Sequence, residues 1–416
     1  MPHNQTQIEL KMRGFIDQVR NFSDFGGVTR TEISSEMDCP IPTYINEFWT
    51  SKQRAASSLH EISYRACFKP QLPRFFIERL TTVGESVYDP FMGRGTTVIE
   101  SALMGRNPIG CDINPLSKML VSPRLSPPNV EEVDQRLREI NLENETEIKD
   151  DLLVFYHPVT LSQISNLRDY FINKESDNNL DDIDGWIRMV ATNRLTGHSP
   201  GFFSVYTLPP NQSVSIESQM KINEKRNQVP PVRDVKKLIS LKTKYLLEKL
   251  TEDELKTIQS VAEHSLLLTE SAESTSAIES ESISLVVTSP PFLDVVDYRK
   301  DNWLRCWFNN IDVENIPIWQ IKEIGYWQAA MTSVFKELYR ILMPGGVVAF
   351  EVGDVKKKTI MMENLALCAA KDTGLIPIMV MINEQEFSKT SACWGVTSNK
   401  KGTNSNRIVV FVRAPD

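Results

Sequence analysis

The segment that most constrains the fold is residues 87–115, VYDPFMGRGTTVIESALMGRNPIGCDINP. A short apolar strand is followed by a turn with Gly93 and Gly95, and a helix is expected from about Thr96 to Gly105. Residues 107–111 have the composition of a second strand. The order strand, turn, helix, strand is the opening of a doubly wound α/β domain built on a parallel sheet.

Length and composition exclude several other classes. The chain has 416 residues, 41% of them hydrophobic and 24% charged, which suits a soluble globular protein rather than a disordered one. No run approaches the roughly 18 apolar residues that a membrane helix needs, and the first fifteen residues lack the layout of a secretion signal. The six cysteines are far apart and form no Cys-x-x-Cys pair, so neither a disulfide framework nor a metal site is expected. We therefore expect a reduced, cytoplasmic protein.

Strand patterns and helical patterns divide the chain. Further strands are expected at residues 283–288, 347–352, 376–382 and 408–412. A proline-rich stretch at 122–128 is expected to leave the sheet, and helical patterns dominate after it. The predicted domains are an N-terminal extension at 1–60, a catalytic α/β domain at 61–128 and 262–416, and an inserted, largely helical domain at 129–261.

The glycine-rich turn indicates a nucleotide-like ligand. Glycines let the backbone approach a ligand closely, and Asp112, at the end of the next strand, suits ribose hydroxyls. A nicotinamide or flavin site would need a third glycine, but Val98 stands there. Asp89, just before the turn, would repel a pyrophosphate and would suit a cation. S-adenosylmethionine, with a sulfonium, an ammonium and no phosphate, fits these residues better.

A second signal is the corner Ser289-Pro290-Pro291-Phe292, which directly follows the apolar run ISLVVT. Two successive prolines lack N–H donors, so the carbonyls around them are held as free acceptors. The Ser289 hydroxyl and the Pro290 carbonyl can each accept one N–H from an amino group, and Phe292 offers a flat face for a base. Such a corner suits an exocyclic base amine that must become nucleophilic.

Together, D-P-F-x-G-x-G-T-T and T-S-P-P-F resemble the motifs of the DNA amino-methyltransferases of the N4-cytosine and N6-adenine group. The resemblance covers about residues 60–120 and 262–412, including 59–80 and the stretch ILMPGGVVAFEVGDV. It implies a Rossmann-like sheet of seven mostly parallel strands, S-adenosylmethionine as cofactor, base flipping and direct methyl transfer. It also implies a recognition domain between the two motifs.

The resemblance assigns roles to individual residues. The cofactor-binding residues it implies are Asp89, Pro90, Phe91, Gly93, Gly95, Thr96, Thr97, Asp112 and Glu270. The catalytic residues it implies are Ser289, Pro290, Pro291 and Phe292. Two positions depart from the family pattern. Phe292 replaces the commoner tyrosine, and Glu270 or Ser271 stands where the family usually has an acid after glycine.

The predicted insertion contains a basic run although the whole chain has a net charge of −8. Residues 221–249 hold nine Lys or Arg against three Asp or Glu, a local charge of +6. Such a run is either a solvated helix face or a surface that tracks phosphates. Its position between the motifs favours DNA. The DNA-binding residues we predict are Lys225, Arg226, Arg233, Lys236 and Lys237. A loop at 197–215, which follows Arg194, contains several aromatic residues. These aromatic residues either face DNA or fill a domain junction.

The sequence therefore predicts a prokaryotic, nucleoid-associated DNA methyltransferase acting on cytosine N4 in double-stranded DNA, in a restriction–modification or epigenetic role. A separately encoded restriction endonuclease is a possible partner. Serine at the first position of the corner favours cytosine, and adenine N6 is the alternative. A non-catalytic DNA-binding specificity module, and an enzyme acting on RNA or a small amine, remain as further alternatives. A 5-methylcytosine enzyme is excluded because the chain has no Pro-Cys dipeptide.

Overall fold

The computed structural model describes residues 2–33, 40–50, 56–65, 67–208, 211–291, 297–321, 323–353, 361–385 and 404–414. The strands are β1 (Arg30–Ile33), β2 (Pro42–Asn46), β3 (Ser86–Asp89), β4 (Asn107–Cys111), β5 (Leu266–Leu268), β6 (Ile283–Thr288), β7 (Leu342–Val352), β8 (Leu375–Gln385) and β9 (Asn404–Arg413).

The helices fall before, between and after these strands. They are α1 (Pro2–Arg20), α2 (Gln71–Leu80), α3 (Thr96–Leu103), α4 (Pro115–Val121), α5 (Val130–Glu139), α6 (Pro158–Ser176), α7 (Asp182–Arg194), α8 (Ile216–Arg226), α9 (Val235–Leu247), α10 (Glu252–Ala262), α11 (Tyr298–Phe308), α12 (Ile324–Ile341) and α13 (Met362–Ala370). Short 3-10 turns lie at Ser58–His60, Ser122–Arg124, Asp150–Val154 and Val313–Asn315.

The described strands form one mixed sheet of nine strands in the order β1-β2-β8-β9-β7-β6-β3-β4-β5. The α/β fold class is confirmed, but the expected number of seven strands is too low. Strands β3 to β9 make up seven, and β1 and β2 extend the sheet beside β8. The N-terminal segment thus contributes to the sheet, which its mixed composition did not indicate. β9 is antiparallel to both of its neighbours.

Alternation along the strands gives the sheet two apolar faces. Val87 packs in the hydrophobic cluster formed with α1 and α2, whereas the adjacent Tyr88 packs in the cluster formed with α12 and α13. Successive side chains of a strand point to opposite faces, so helices cover both sides of the sheet. All six residues of β6 are buried, as expected for a central strand of such a sheet.

The helical segment between β4 and β5 shares a hydrophobic core with one side of the sheet. Arg136 of α5 forms ion pairs with Asp181 and with the buried Asp184, which fixes α5 against the start of α7. The last helix of this segment, α10, packs on α3 and β4. It therefore acts as the crossover helix of the sheet, although its sequence lies within the predicted insertion.

Candidate active site

Parallel strands β3, β4, β5 and β6 lie side by side, so their carboxyl ends meet at one edge of the sheet. In open α/β sheets, ligands bind at this edge where neighbouring connections run in opposite directions, here between β3 and β6. A cavity of about 340 Å³ opens there. Its walls include these residues from the two predicted motifs: Asp89, Pro90, Phe91, Gly93, Thr96, Asp112, Ser289 and Pro291. The glycine-rich turn and the Ser-Pro-Pro corner thus share one cleft.

Other predicted site residues lie beside the cavity rather than in its wall. Gly95 is the N-cap of α3, and Thr97 Oγ1 donates to the Val287 carbonyl at 2.9 Å, which ties α3 to β6. Pro290 is buried, and Phe292 lies outside the described residues. Gly95 and Thr97 therefore shape the site from behind the cavity wall.

Glu270 does not line the cavity. Its backbone carbonyl accepts from Cys111 Sγ at 3.3 Å, and the next three residues, Ser271 to Glu273, form the wall. Of the two candidates for the acid position, Ser271 lines the cavity and Glu270 does not, and the cofactor-binding role of either residue stays a prediction.

Gly95 shows why the turn requires glycine. Its φ is +75°, and a Cβ there would lie 2.5 Å from Val121 Cγ2. Both the backbone conformation and the close approach of α4 exclude a side chain. The helix begins directly after this residue, so its first backbone N–H groups face the cleft.

We expect Gly95→Ala to lower the free energy of unfolding by about 2–5 kcal/mol, since left-handed backbone strain adds to overpacking against Val121. Gly26→Ala is the matched control, because Gly26 also has a positive φ, +83°, yet a Cβ there meets nothing within 4 Å. Urea unfolding followed by circular dichroism measures both. Equal losses for the two variants would show that the Val121 contact contributes nothing.

Asp89, the last residue of β3, is buried with 1% of its surface exposed. Its Oδ1 accepts from Thr288 Oγ1 at 2.6 Å and from the Phe91 backbone N–H at 3.1 Å. Burial raises the pKa of this carboxyl to about 7, against the opposing effect of these hydrogen bonds. Asp89 therefore links the end of β3 to the end of β6, and a cationic ligand in the cavity would stabilise its charged form.

Asp112, directly after β4, holds the turn from the other side. Its Oδ2 accepts from the Gly93 N–H and its Oδ1 from the Asn114 N–H, both at 2.9 Å. Burial raises its pKa above the ordinary range of an aspartate. Each carboxylate oxygen can accept more than one hydrogen bond, so the side chain retains capacity for hydroxyls of a ligand.

The Ser-Pro-Pro corner leaves β6 next to these acids. The Ser289 hydroxyl is buried, without a hydrogen bond of regular geometry to a described residue. It lies close enough to the Glu351 carboxyl to oppose part of the pKa increase that burial imposes on Glu351. Asn406 Nδ2 also donates to Glu351 Oε1, at 2.9 Å. The sequence analysis missed Glu351, although a single acid within the apolar run VVAFEV was a detectable signal.

Trp327 of α12 fixes the second proline of the corner. Its indole N–H donates to the Pro291 carbonyl at 3.2 Å. That carbonyl thus already accepts one hydrogen bond from the chain, whereas the Ser289 hydroxyl accepts none of regular geometry from a described residue. No sequence pattern pointed to Trp327, since it lies in an amphipathic helix with several other large side chains.

The segment before α2 closes one side of the cavity. Arg94, in the glycine-rich turn, donates to the backbone carbonyls of His60, Ile62 and Phe68. These bonds hold the segment so that Tyr64, Arg65, Cys67 and Phe68 line the cavity. The predicted stretch 59–80 therefore lies beside the turn, and its helical part is α2.

Two aromatic residues extend the apolar wall. Phe91 and Trp319 have ring centroids 6.0 Å apart, and both line the cavity, as does Tyr298 at the start of α11. Trp319 and Tyr298 were missed by the sequence analysis because neither belongs to a pattern that distinguishes a wall from a core. The cleft thus combines acids on one side with flat apolar faces on the other.

The five basic residues predicted to bind DNA differ in their surroundings. Lys225, Arg226 and Lys237 are exposed, and Arg233 is half-buried. Lys236 is half-buried too, and its Nζ donates to the Ile140 carbonyl at 2.5 Å. Lys236 therefore has a structural contact that its position in a basic run did not reveal.

Part of the loop at 197–215 packs into the protein, and part of it is exposed to solvent. Phe202 and Phe203 are buried, whereas His198 and Tyr206 are exposed. The Ser213 N–H donates to the Asp301 carbonyl at 2.8 Å, which attaches the end of the loop to α11.

Within the described ranges, no group of three or more His, Cys, Asp or Glu side chains is arranged to hold a metal ion. In the same part of the chain, none of the helices combines the length and apolar character needed to span a bilayer.

Comparison with known proteins gives two kinds of match. Residues 5–119 match a family model described as DNA methylase. The type II methyltransferase M.BsoBI of Geobacillus stearothermophilus is 24% identical over 287 residues, covering 62% of this chain and 54% of that protein. M.MjaII of Methanocaldococcus jannaschii is 35% identical over 94 residues, 22% of this chain and 17% of that protein.

The chain thus spans about half or less of the length of these relatives. The matches support an amino-methyltransferase family and do not distinguish cytosine from adenine as the target. Among solved structures, a geranyl diphosphate methyltransferase complex with sinefungin has 9% identity and a TM-score of 0.32, covering 83% of this chain and 79% of the other. The rRNA methyltransferase aviRa of Streptomyces viridochromogenes has 8% identity and a TM-score of 0.33, covering 88% of this chain and 94% of the other.

Proposed function

We propose that this chain is a DNA methyltransferase that transfers a methyl group from S-adenosylmethionine to the N4 amine of a flipped cytosine. The observation that carries the proposal is the shared cleft of the glycine-rich turn and the Ser-Pro-Pro corner at the carboxyl ends of β3, β4 and β6. The two acids proposed to bind the cofactor and the corner proposed to accept an amine line the same cavity, as methyl transfer to an amine requires.

The residues of the cleft fit S-adenosylmethionine. Asp112 has remaining acceptor capacity for ribose hydroxyls, and Phe91 with Trp319 offers flat apolar faces for adenine. Asp89 places a carboxyl near the ends of both β3 and β6, where the positive groups of the ligand would lie. When bound, this cofactor supplies an activated methyl group on a sulfonium.

The corner would position the accepting amine. The Ser289 hydroxyl and the Pro290 carbonyl would accept the two N–H groups of the amine, and the Ser289 hydroxyl lies close to the Glu351 carboxyl. Methyl transfer would leave the amine with one excess proton, which Ser289 would pass to the Glu351 carboxylate. Most of the rate enhancement would come from alignment and from acceptors placed where positive charge develops.

DNA as the substrate is supported by the helical segment between the two motifs. Its basic run carries the exposed side chains of Lys225, Arg226 and Lys237, which suits a phosphate backbone. The type II methyltransferase relatives also favour this substrate class. We propose that this DNA methylation serves a restriction–modification or epigenetic role in a prokaryote.

Nucleoside analysis tests the reaction. The purified protein is incubated with S-adenosylmethionine and unmethylated duplex DNA, and the digested nucleosides are analysed by mass spectrometry. We expect N4-methylcytosine. N6-methyladenine as the sole product would overturn the base assignment, and no methylated nucleoside with DNA alongside product with RNA would overturn the substrate class.

The raised pKa of Asp89 predicts a pH dependence of cofactor binding. Below pH 7 the carboxyl is mostly protonated, and a cationic ligand must displace that proton. We expect the affinity for S-adenosylmethionine to rise by up to about tenfold per pH unit below pH 7 and to level off above it. Isothermal titration calorimetry between pH 5.5 and 8.5 measures this.

Asp89→Asn is the control for the pH profile, since an amide retains an acceptor for the Thr288 hydroxyl and does not titrate. We expect a flat profile with weaker binding at pH 8. In the absence of ligand the sign is opposite for stability: the folded pKa exceeds that of an unfolded aspartate, so Asp89 lowers stability as pH rises from about 4 to about 7. An unchanged slope in Asp89→Asn would exclude Asp89 as the titrating group.

A further inference from the structure

An exposed arginine at the end of α8 is held in a fixed orientation by an aromatic ring. The Arg226 guanidinium carbon lies 3.7 Å from the centroid of the Tyr206 ring. Both residues are exposed, and Tyr206 has 37% of its surface accessible. Stacking covers one face of the guanidinium and leaves its N–H edges directed away from the ring.

A hydrogen-bond network fixes the support of this stack. The Tyr206 backbone carbonyl accepts from Gln219 Nε2 at 3.1 Å and from Gln228 Nε2 at 2.8 Å. Asn223 Oδ1 accepts from the same two amides, and Asn223 Nδ2 donates to the Val154 carbonyl at 2.7 Å. One residue within α8 and one after it are therefore bonded to the backbone of Tyr206, so Arg226 and its ring are presented together.

The charge of Arg226 is not neutralised by the chain. Among the described residues, no carboxylate forms an ion pair with Arg226, Lys225 or Lys221, whereas two lysines of α9 do have acidic partners. Lys242 pairs with Glu61 and Lys244 with Asp134, at 3.5 and 3.4 Å. The basic side chains at the end of α8 can therefore pair with a ligand, whereas Lys242 and Lys244 of α9 already pair with acids of the chain.

The end of α8 is also connected to the cleft. The segment just before α8 is bonded to α11 through Ser213, and the Trp303 indole donates to the Val214 carbonyl at 3.1 Å. Asp301 of α11 pairs with Arg65, which lines the cavity. Three extended residues and eleven helical residues reach at most about 26 Å, so the backbone of Arg226 lies within about that distance of Ser213, which is linked to the cleft through Asp301 and Arg65.

We propose that Arg226, oriented by Tyr206, binds two adjacent acceptor atoms of the DNA duplex near the target base. This inference rests on the proposed function. A planar fork of donors that is already ordered fits two phosphate oxygens or the O6 and N7 atoms of guanine, and it loses less entropy on binding than a mobile lysine. Tyr206 acts as a positioning residue, since it orders the arginine rather than contacting the reacting atoms.

The test compares four variants of the full chain in binding to duplex DNA, with S-adenosylhomocysteine present and at several salt concentrations. Arg226→Ala, Arg226→Lys and Tyr206→Leu are each expected to weaken binding by about tenfold or more. Lys221→Ala is the matched control, because it removes one positive charge from an exposed position of the same helix that no ring covers, and we expect less than a threefold change.

Sequencing of methylated DNA separates the two sources of acceptors. If Arg226 contacts phosphate, Arg226→Ala is expected to lose affinity equally for all DNA sequences, and the slope of log affinity against log salt concentration becomes smaller by about one. If Arg226 contacts guanine, Arg226→Ala is expected to methylate DNA with a relaxed base preference at one position of the methylated sequence. Either result supports the inference. Wild-type binding by Arg226→Lys, or a loss in Arg226→Ala no larger than in Lys221→Ala, overturns it. A wild-type chain that binds DNA but transfers no methyl group contradicts the proposed function instead.

Discussion

Replacing Ser289 with alanine is expected to lower kcat for methyl transfer by about 100-fold or more, while the Kd for S-adenosylmethionine changes by less than about threefold. The hydroxyl is one of two acceptors at the corner, and removing one preorganised partner of developing charge typically costs about 10²–10³ in rate. It makes no regular hydrogen bond within the described residues, so its loss leaves the cofactor loop intact. Single-turnover transfer of labelled methyl to duplex DNA, with calorimetric titration of the cofactor, measures both quantities.

Ser284→Ala is the matched control for this variant. Ser284 lies on β6, the strand that precedes Ser289, and is buried; its Oγ donates to Glu85 at 3.1 Å, far from the carboxyl end of the strand. Its kcat is expected to remain within about twofold of the wild type. A Ser289→Ala enzyme that turns over like Ser284→Ala would remove Ser289 from the reaction.

The opposite pattern is expected for Asp112→Ala. Loss of a carboxylate that bonds ribose hydroxyls is expected to raise the Kd for S-adenosylmethionine by about 100-fold, since hydrogen bonds to a charged group contribute about 1.5–3 kcal/mol each. At saturating cofactor, kcat is expected to stay within about fivefold, because Asp112 does not reach the corner. Cofactor titration and single-turnover rates on the same preparations check the split.

Asp112 also holds the Gly93 and Asn114 N–H groups, so the alanine variant needs a test of folding. Asp112→Asn retains one acceptor oxygen and is expected to bind the cofactor with intermediate affinity. Thermal unfolding without ligand shows whether either variant has lost its structure. Normal cofactor affinity in a folded Asp112→Ala protein would contradict the site.

Local sequence patterns predicted much of the sheet. β4 at Asn107–Cys111 and β6 at Ile283–Thr288 have the predicted bounds. These strands lie in the interior of the sheet, so their apolar residues are buried and the apolar pattern of the sequence identifies them. Glycines mark the turns between such elements. β1 and β2 were not predicted, because β1 is fully exposed and its pairing partner is distant in the chain.

The same distinction applies to the site. Asp89, Asp112 and Ser289 follow strands whose carboxyl ends meet, so their shared cleft could be anticipated from the order of the motifs. Glu351 could not be assigned in this way, because its relation to Ser289 depends on the register between β6 and β7. Trp319 and Trp327 reach the cleft through folding of the chain around α12, which no local pattern encodes.

The class of fold, the glycine-rich turn and the proposed chemistry of the two motifs follow from local sequence, because each depends on neighbouring residues and on their backbone preferences. Packing in three dimensions selects which side chains complete the cleft and which basic side chains of the described residues have no ion-pair partner. Glu351 beside Ser289, the stack of Arg226 on Tyr206 and the structural use of Lys236 are all contacts between segments far apart in the chain. Such contacts depend on packing and strand register, which a residue's immediate neighbours do not specify.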